Sequence, residues 1–194
     1  MNIQPTPGLC DARQGHPRAT GHTHGLSMVE LLCSLAITLV LLGSALPMFR
    51  ELRASQALQA TAALLETDLQ YTRSLAVTGR RAVRLSVQAM DSGGSCYLVH
   101  TGPAHACRCT GGGQAQCEPD AELLRLAEQD RPSGITLAPV ERSILFDGLK
   151  GTVTPTATLK VVDRDGRTIH QVINIMGRVR SCVPAGSLGG LRPC

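Results

Sequence analysis

Polar and apolar residues divide the sequence into three stretches with different patterns. Residues 1–25 are polar and rich in Gly, Pro and His, whereas residues 26–49 carry a single charged side chain, Glu30. A helix over those 24 residues would extend about 36 Å, enough to cross the hydrocarbon core of a bilayer. The pattern therefore predicts a membrane-spanning helix over 26–49, preceded by a polar leader over 1–25.

The helical pattern continues beyond the apolar stretch, over residues 50–78. Pro47 lies inside the predicted helix, where it removes one backbone donor and clashes with the preceding turn, so we expect a kink there. We predict one long helix over 26–78, whose second half is amphipathic and packs one face on a sheet. The apolar stripe of that face has roughly helical spacing and comprises Leu58, Ala62, Leu65, Leu69 and Ala76.

Residues 79–194 change to short runs typical of β-strands, separated by turn residues. The Asp165-Gly166 pair between two such runs is a strong hairpin signal. A long helix followed by these strands predicts the α+β class, with the helix packed against antiparallel β-sheets. The predicted strands cover 82–90, 95–100, 122–128, 135–140, 143–147, 158–163, 168–176 and 178–182.

Arginine dominates the basic residues: 17 of the 19 are Arg, although the net charge is only +4. The planar guanidinium group binds phosphate and carboxylate through two parallel hydrogen bonds. A high genomic GC content also produces Arg-rich chains, so an argument for a nucleic-acid ligand must rest on local features rather than on the total charge. No Ser/His/Asp set, phosphate-binding loop or pair of catalytic carboxylates is recognisable, so we expect neither an enzyme nor a cofactor.

Eight cysteines are present, and six of them follow the apolar stretch. An even number of cysteines beyond an export signal indicates disulfides formed in an oxidising compartment. Cys182 and Cys194 would close a C-terminal loop. Two further disulfides are expected in and beside the Gly-rich and Cys-rich loop 101–120, with zinc as the alternative that would also use His105. The sequence leaves open the pairing among these four cysteines, Cys96, Cys107, Cys109 and Cys117.

Three histidines, His16, His22 and His24, lie close together in the leader. They resemble a metal-binding cluster, but they lie in a leader that would be removed, and a merely hydrophilic leader is the preferred interpretation. We therefore expect no metal site from them.

The start of the apolar stretch resembles the class III signal of type IV pilins and pseudopilins. In that family a prepilin peptidase cuts after the Gly and methylates the new N-terminus, which implies a cut between Gly25 and Leu26. Glu30 then becomes the fifth mature residue and Pro47 the twenty-second, as in the family pattern. Leu26 departs from that pattern, because the first mature residue of the family is usually Phe.

The resemblance also implies a partner for Glu30. An ionised carboxylate in lipid is costly, so it is expected to face a group that compensates its charge. In an assembled filament, the resemblance implies that Glu30 meets the α-amine of Leu26 from a neighbouring subunit. Alternatively, Glu30 lies at the level of the lipid headgroups near the helix N-terminus, where the helix dipole favours a negative charge.

Residues 144–182 resemble the C-terminal half of the GspH/FimT family of minor pilins and pseudopilins. In FimT-type minor pilins a G-R-x-R motif binds DNA during natural transformation, which implies DNA contacts at Gly177, Arg178 and Arg180. Two Arg at i and i+2 of an extended strand project from one face, about 6–7 Å apart, close to the spacing of successive phosphates. Further candidates for binding double-stranded DNA are Arg164 and Arg167 at the preceding hairpin and Arg192 in the C-terminal loop.

Two other functions are compatible with the same residues. The arginines can instead protect a solvated edge strand from aggregation in a structural tip subunit that binds no ligand. The chain can also be a GspH-like pseudopilin of a type II secretion system. In every case the resemblance implies a single-pass protein of the bacterial inner membrane, with residues 79–194 in the periplasm, that assembles with other pilins or pseudopilins.

Overall fold

The computed structural model describes residues 27–186 and 188–194. The predicted leader 1–25, with its three histidines, and the Gly25–Leu26 junction lie outside the described residues. The chain divides into two compact units, one ending at Ser44 and the other comprising Ala45–Cys194.

Helix α1, Met28–Gly79, is a single α-helix of 52 residues that includes Pro47. The large apolar side chains of its first part, from Met28 to Phe49, are exposed. In the part of the chain that the structure describes, α1 is the one helix long and apolar enough to cross a membrane. The predicted long apolar helix is confirmed, whereas the kink at Pro47 stays a prediction.

The described residues after the helix contain eleven β-strands and one short 3-10 helix, Arg131–Ser133. Each of the eight predicted strands corresponds to one of them, and three strands were not predicted: β3, β4 and β8. The strands are β1 Val83–Ala89, β2 Gly94–His100, β3 Cys107–Gly111, β4 Gln114–Cys117, β5 Leu123–Asp130, β6 Ile135–Leu137, β7 Ile144–Asp147, β8 Thr152–Thr154, β9 Ala157–Asp163, β10 Thr168–Ile173 and β11 Val179–Cys182.

These strands form antiparallel sheets. A five-stranded sheet has the order β5-β2-β1-β7-β8, a four-stranded sheet has the order β11-β10-β9-β6, and β3 pairs with β4 alone. In the four-stranded sheet β9 and β10 are joined by the predicted turn, since Thr168 pairs with Val162 across it. One long helix packed on antiparallel sheets confirms the α+β class.

The second half of α1 packs against both larger sheets. All five residues of the predicted apolar stripe are buried, from Leu58 to Ala76. They share one core with side chains of both sheets, among them Leu85, Phe146 and Ile169. The helical spacing of the stripe therefore predicted correctly which face of the helix is buried.

A buried carboxylate also joins the helix to the five-stranded sheet. Asp68 of α1 is 2% exposed, and its Oδ2 accepts hydrogen bonds from the Tyr97 hydroxyl and from Arg125 Nε, each at 2.6 Å. Burial and the bond to Asp68 raise the pKa of Tyr97, and the same carboxylate raises the pKa of Arg125. One carboxylate thus holds a residue of β2 and a residue of β5 against the helix.

The Cys-rich loop 101–120 is more ordered than predicted, because it contains the β3–β4 hairpin. Cys107 and Cys117 face each other across this hairpin and form a disulfide, with Cα atoms 4.1 Å apart. Cys109 forms a second disulfide with Cys96 of β2, which attaches the hairpin to the five-stranded sheet. The four cysteines are therefore engaged with one another, in a pairing that the sequence left open.

Candidate nucleic-acid interface

The predicted G-R-x-R motif lies at the turn between β10 and β11. The side-chain Oδ1 of Asn174 accepts hydrogen bonds from the backbone N–H of Met176 at 3.1 Å and of Arg178 at 2.9 Å. Gly177 has φ +71° and donates its N–H to the Asn174 carbonyl oxygen at 2.9 Å. This left-handed conformation favours glycine. The predicted strand 168–176 ends early because this turn begins at Asn174.

Arg178 and Arg180 are both exposed at the edge strand β11. Arg180 lies in β11, and Arg178 lies in the turn directly before it. Because side chains alternate along a strand, Arg180 lies on one face of β11 and Val179 and Ser181 lie on the other. The second face is turned towards α1, because the Ser181 hydroxyl donates to Glu66 Oε2 at 2.6 Å. The carboxylate of Glu66 is therefore bound on the opposite side of the strand from the guanidinium group of Arg180. Within the described residues neither arginine forms a salt bridge.

The C-terminal loop brings Arg192 beside Arg180. A disulfide joins Cys182, the last residue of β11, to Cys194, with Cα atoms 5.0 Å apart. The backbone N–H of Val183 donates to the carbonyl oxygen of Arg192 at 3.0 Å, which holds the loop next to the strand. Arg180 and Arg192 line the same cavity of about 310 Å³. Two of the predicted DNA-binding arginines are thus neighbours, and Arg178 precedes Arg180 by two residues.

Arg164 and Arg167 lie elsewhere, at the opposite end of β10. The six residues of β10 separate them from the motif by about 20 Å. Arg167 is paired with Asp163 at 2.6 Å and with Asp165 at 3.3 Å, and the bond to Asp163 raises the pKa of Arg167. Arg164 donates to the carbonyl oxygen of Arg131 at 3.0 Å. The structure does not bring these two arginines together with the other three.

Arg73 of α1 is a neighbour of the motif that the sequence analysis did not identify. A Cβ atom placed on Gly177 would lie 2.7 Å from Arg73 Cδ and 2.8 Å from Arg73 Nε, so the arginine side chain passes directly over the glycine. Arg73 and Arg178 are 105 positions apart in the sequence, and no local signal links them. Asn174 was missed for a different reason, because it was assigned to a strand rather than to a turn.

Glu30, the predicted assembly residue, lies in the first turn of α1 and is exposed. Its backbone N–H donates to the carbonyl oxygen of Ser27 at 2.9 Å. An acidic residue in this turn is favoured by the helix dipole. The pairing predicted for Glu30 concerns an assembled filament and stays a prediction.

A buried Ser–His contact, between Ser86 and His100, has a structural role. His100 Nε2 lies 3.0 Å from Ser86 Oγ, and His100 Nδ1 lies 2.9 Å from the carbonyl oxygen of Thr101. Because a carbonyl only accepts, Nδ1 carries the proton and Nε2 accepts from the serine. His100 is fully buried, and burial lowers its pKa. The pair therefore crosslinks β1 and β2 without access to solvent.

An exposed apolar N-terminal helix that continues into the core of an antiparallel α+β domain defines a pilin-type protein. The sequence profile of the family described as "Type II transport protein GspH" matches residues 61–177. This match covers more than half of the chain, which therefore belongs to the GspH family of minor pilins and pseudopilins. The matched region ends at Gly177, so Arg178, Arg180 and the C-terminal loop lie beyond it.

One solved structure is also similar to this chain. It is the crystal structure of the type IV minor pilin FimU of Pseudomonas aeruginosa (strain PAO1), with 27% identity and a TM-score of 0.42. The alignment covers 63% of this chain and 86% of that chain. A comparison with curated protein sequences finds no match.

Proposed function

We propose that the protein is a FimT-like minor pilin that takes part in type IV pilus assembly and binds DNA without sequence specificity during natural transformation. The role is non-catalytic. One observation carries the DNA-binding part: Arg178 in the turn directly before the edge strand β11 and Arg180 in that strand are both exposed and have no carboxylate partner among the described residues. Arg192 lies beside Arg180 on the adjoining loop.

The side chains of Arg178, Arg180 and Arg192 suit contacts with a phosphate backbone rather than with base edges. Arginine binds phosphate oxygens through its fork of N–H donors. The chain has no Trp, two Phe and two Tyr. None of these four aromatic residues lies on β11: two are on α1 and two are buried in the domain, namely Phe49, Tyr71, Tyr97 and Phe146. No aromatic ring is therefore available at β11 for stacking on a base. Binding is therefore electrostatic and indifferent to sequence.

A GspH-like pseudopilin of a type II secretion system is the second candidate function. The matching family is described as a type II transport protein, which favours this function. In that function, as in a structural tip subunit without a ligand, the arginines of β11 only protect an exposed sheet edge. DNA affinity separates these functions from the proposal.

The proposed location follows from the helix and from the disulfides. The exposed apolar part of α1 anchors the protein in the inner membrane as a single pass. The three disulfides support a location of the β-rich domain, residues 79–194, in the oxidising periplasm. Assembly with other pilins then moves the protein from the membrane into the filament.

Processing by a prepilin peptidase is the first prediction. The mature protein should begin at Leu26 and carry a methylated amine, because a Gly–Leu junction directly precedes the apolar stretch. Mass spectrometry of the N-terminal peptide, from protein extracted from membranes, measures both features. A chain that begins at Met1, or one cut beyond residue 49, would contradict the assignment of a pilin signal.

DNA binding is the second prediction. Each phosphate contact contributes about −0.9 to the slope of log affinity against log salt, so two to four contacts predict a slope of roughly −2 to −4 on duplex DNA. Replacing both Arg178 and Arg180 by Ala should reduce this slope by about two and weaken binding about sixtyfold at 0.1 M salt. Fluorescence anisotropy of a labelled duplex, titrated at several salt concentrations, measures both quantities.

The wild-type affinity should be weak, micromolar or above, and equal for unrelated duplexes. Arg108→Ala with Arg142→Ala provides the matched control, because both arginines are exposed, form no salt bridge among the described residues and lie outside β10 and β11. This control should change affinity much less than the Arg178 and Arg180 double variant. Equal binding by wild type and the motif variant, or no salt-dependent binding by wild type, would exclude the DNA-binding role.

A further inference from the structure

We propose that a groove between helix α1 and the β10–β11 turn is a phosphate-binding site, in which Arg73 of the helix acts together with Arg178 of the turn. This helix–turn groove has a volume of about 680 Å³. The inference rests on the proposed DNA binding and adds helix α1 to the DNA-binding surface. The groove is lined by Gln70, Arg73, Ser74, Val77, Thr78, Met176, Gly177, Arg178 and Val179.

The lining of the groove suits an anion. Its two charged residues, Arg73 and Arg178, are both positive, and no carboxylate among the described residues lines it. Gln70, Ser74 and Thr78 follow one another at intervals of four along α1, so their amide and hydroxyl groups form a row on one face of the helix. Guanidinium groups beside neutral hydrogen-bond donors are the groups that proteins use for phosphate oxygens.

Gly177 places Arg73 in this site. The Arg73 side chain crosses the glycine at a distance that any Cβ atom would obstruct, 2.7 Å from Cδ. Val153 closes the other side, since its Cγ2 would lie 3.1 Å from the same Cβ. The guanidinium of Arg73 therefore lies beside the turn that carries Arg178. Gly177 therefore has two roles: it adopts the left-handed conformation of the turn, and its lack of a side chain lets Arg73 approach.

The groove also continues the row of arginines on β11. Arg178 lines the groove, Arg180 follows two residues later on the edge strand, and Arg180 shares a cavity with Arg192. Arg73, Arg178, Arg180 and Arg192 therefore come from three separate segments of the chain. A row of positive groups from a groove along a strand fits the successive phosphates of one phosphodiester backbone rather than a single small anion. We therefore assign the groove to the DNA backbone.

The test uses the full chain in a neutral detergent and a labelled 20-base-pair duplex. Four contacts predict a wild-type slope of about −3.6, and Arg73→Gln should reduce it by about 0.9 and weaken binding about eightfold at 0.1 M salt. Arg73→Lys keeps the charge and should keep the slope, which separates a phosphate contact from a packing role. Arg108→Gln, an exposed arginine of the β3–β4 hairpin, is the matched control and should bind like wild type.

The outcomes distinguish this inference from the proposed function. Loss of affinity and slope in Arg73→Gln, with both retained in Arg108→Gln, supports the groove. Wild-type binding by Arg73→Gln overturns the groove but leaves the proposed function standing if the Arg178 and Arg180 double variant is weak. Equal losses in Arg73→Gln and Arg73→Lys, with an unchanged slope, also overturn it, because packing then explains the effect. No DNA binding by wild type overturns both.

Discussion

Replacing Asp68 with alanine should lower the free energy of unfolding of the globular domain by about 3 kcal/mol. Its carboxylate is 2% exposed and accepts hydrogen bonds from Tyr97 and Arg125. Alanine leaves the buried Tyr97 hydroxyl without an acceptor. Arg125 remains partly exposed, with 42% of its side chain accessible, so water compensates part of the loss on that side. The expected cost therefore lies at the low end for a broken buried pair.

Urea unfolding of residues 50–194 measures this effect, because that fragment contains every residue of the buried core. Asp68→Asn is the informative second variant, since its amide oxygen can still accept both hydrogen bonds, and it should cost clearly less than alanine. Glu51→Ala, which removes an exposed carboxylate of the same helix, should change stability by less than about 0.5 kcal/mol. A loss below about 1 kcal/mol for Asp68→Ala would show that the helix is held by apolar packing alone.

Replacing Glu30 with alanine should reduce incorporation into filaments more than about tenfold while leaving membrane insertion intact. Insertion is preserved because the change removes a charge from the apolar stretch. Incorporation falls because the α-amine of a neighbouring subunit then enters an apolar environment without its carboxylate partner. Removing one member of a buried ion pair typically costs about 3–5 kcal/mol.

Immunoblots of sheared filaments and of membranes measure incorporation and insertion separately. Glu30→Gln has nearly the same shape but no charge, so it should fail like alanine. Glu51→Ala, an exposed acidic residue of the same helix beyond the apolar stretch, should assemble normally. Normal incorporation of both Glu30 variants would favour the alternative in which this carboxylate only lies at the lipid headgroups.

The fold was largely predictable because its main elements carry periodic signals. The apolar stripe from Leu58 to Ala76 identified the buried face of α1, and the Asp165-Gly166 pair identified the turn between β9 and β10. The missed strands lack such signals. β3 and β4 lie in a Gly-rich and Cys-rich segment where disulfides supply part of the constraint, and β8 is three residues long.

The candidate site was only partly predictable, because its parts are distant in the sequence. The motif at Gly177, Arg178 and Arg180 was recognisable as a local pattern, whereas the approach of Arg73 depends on how the helix packs on the sheet. The same limit explains why the sequence grouped Arg164 and Arg167 with the motif although the structure separates them. They are close to the motif in sequence, but a strand of six residues carries the chain away from them. Likewise, the buried Asp68 looks like an ordinary helix-surface residue in the sequence.

The most direct test of the account is to replace Arg178 and Arg180 by alanine in the chromosomal gene of the source bacterium and to measure transformation by added DNA. Sheared filaments and the secreted proteins of the same strain are compared with wild type. The account predicts that most transformation is lost, while filament incorporation and protein secretion remain unchanged. Unchanged transformation with normal incorporation, or a loss of secretion instead, would contradict it.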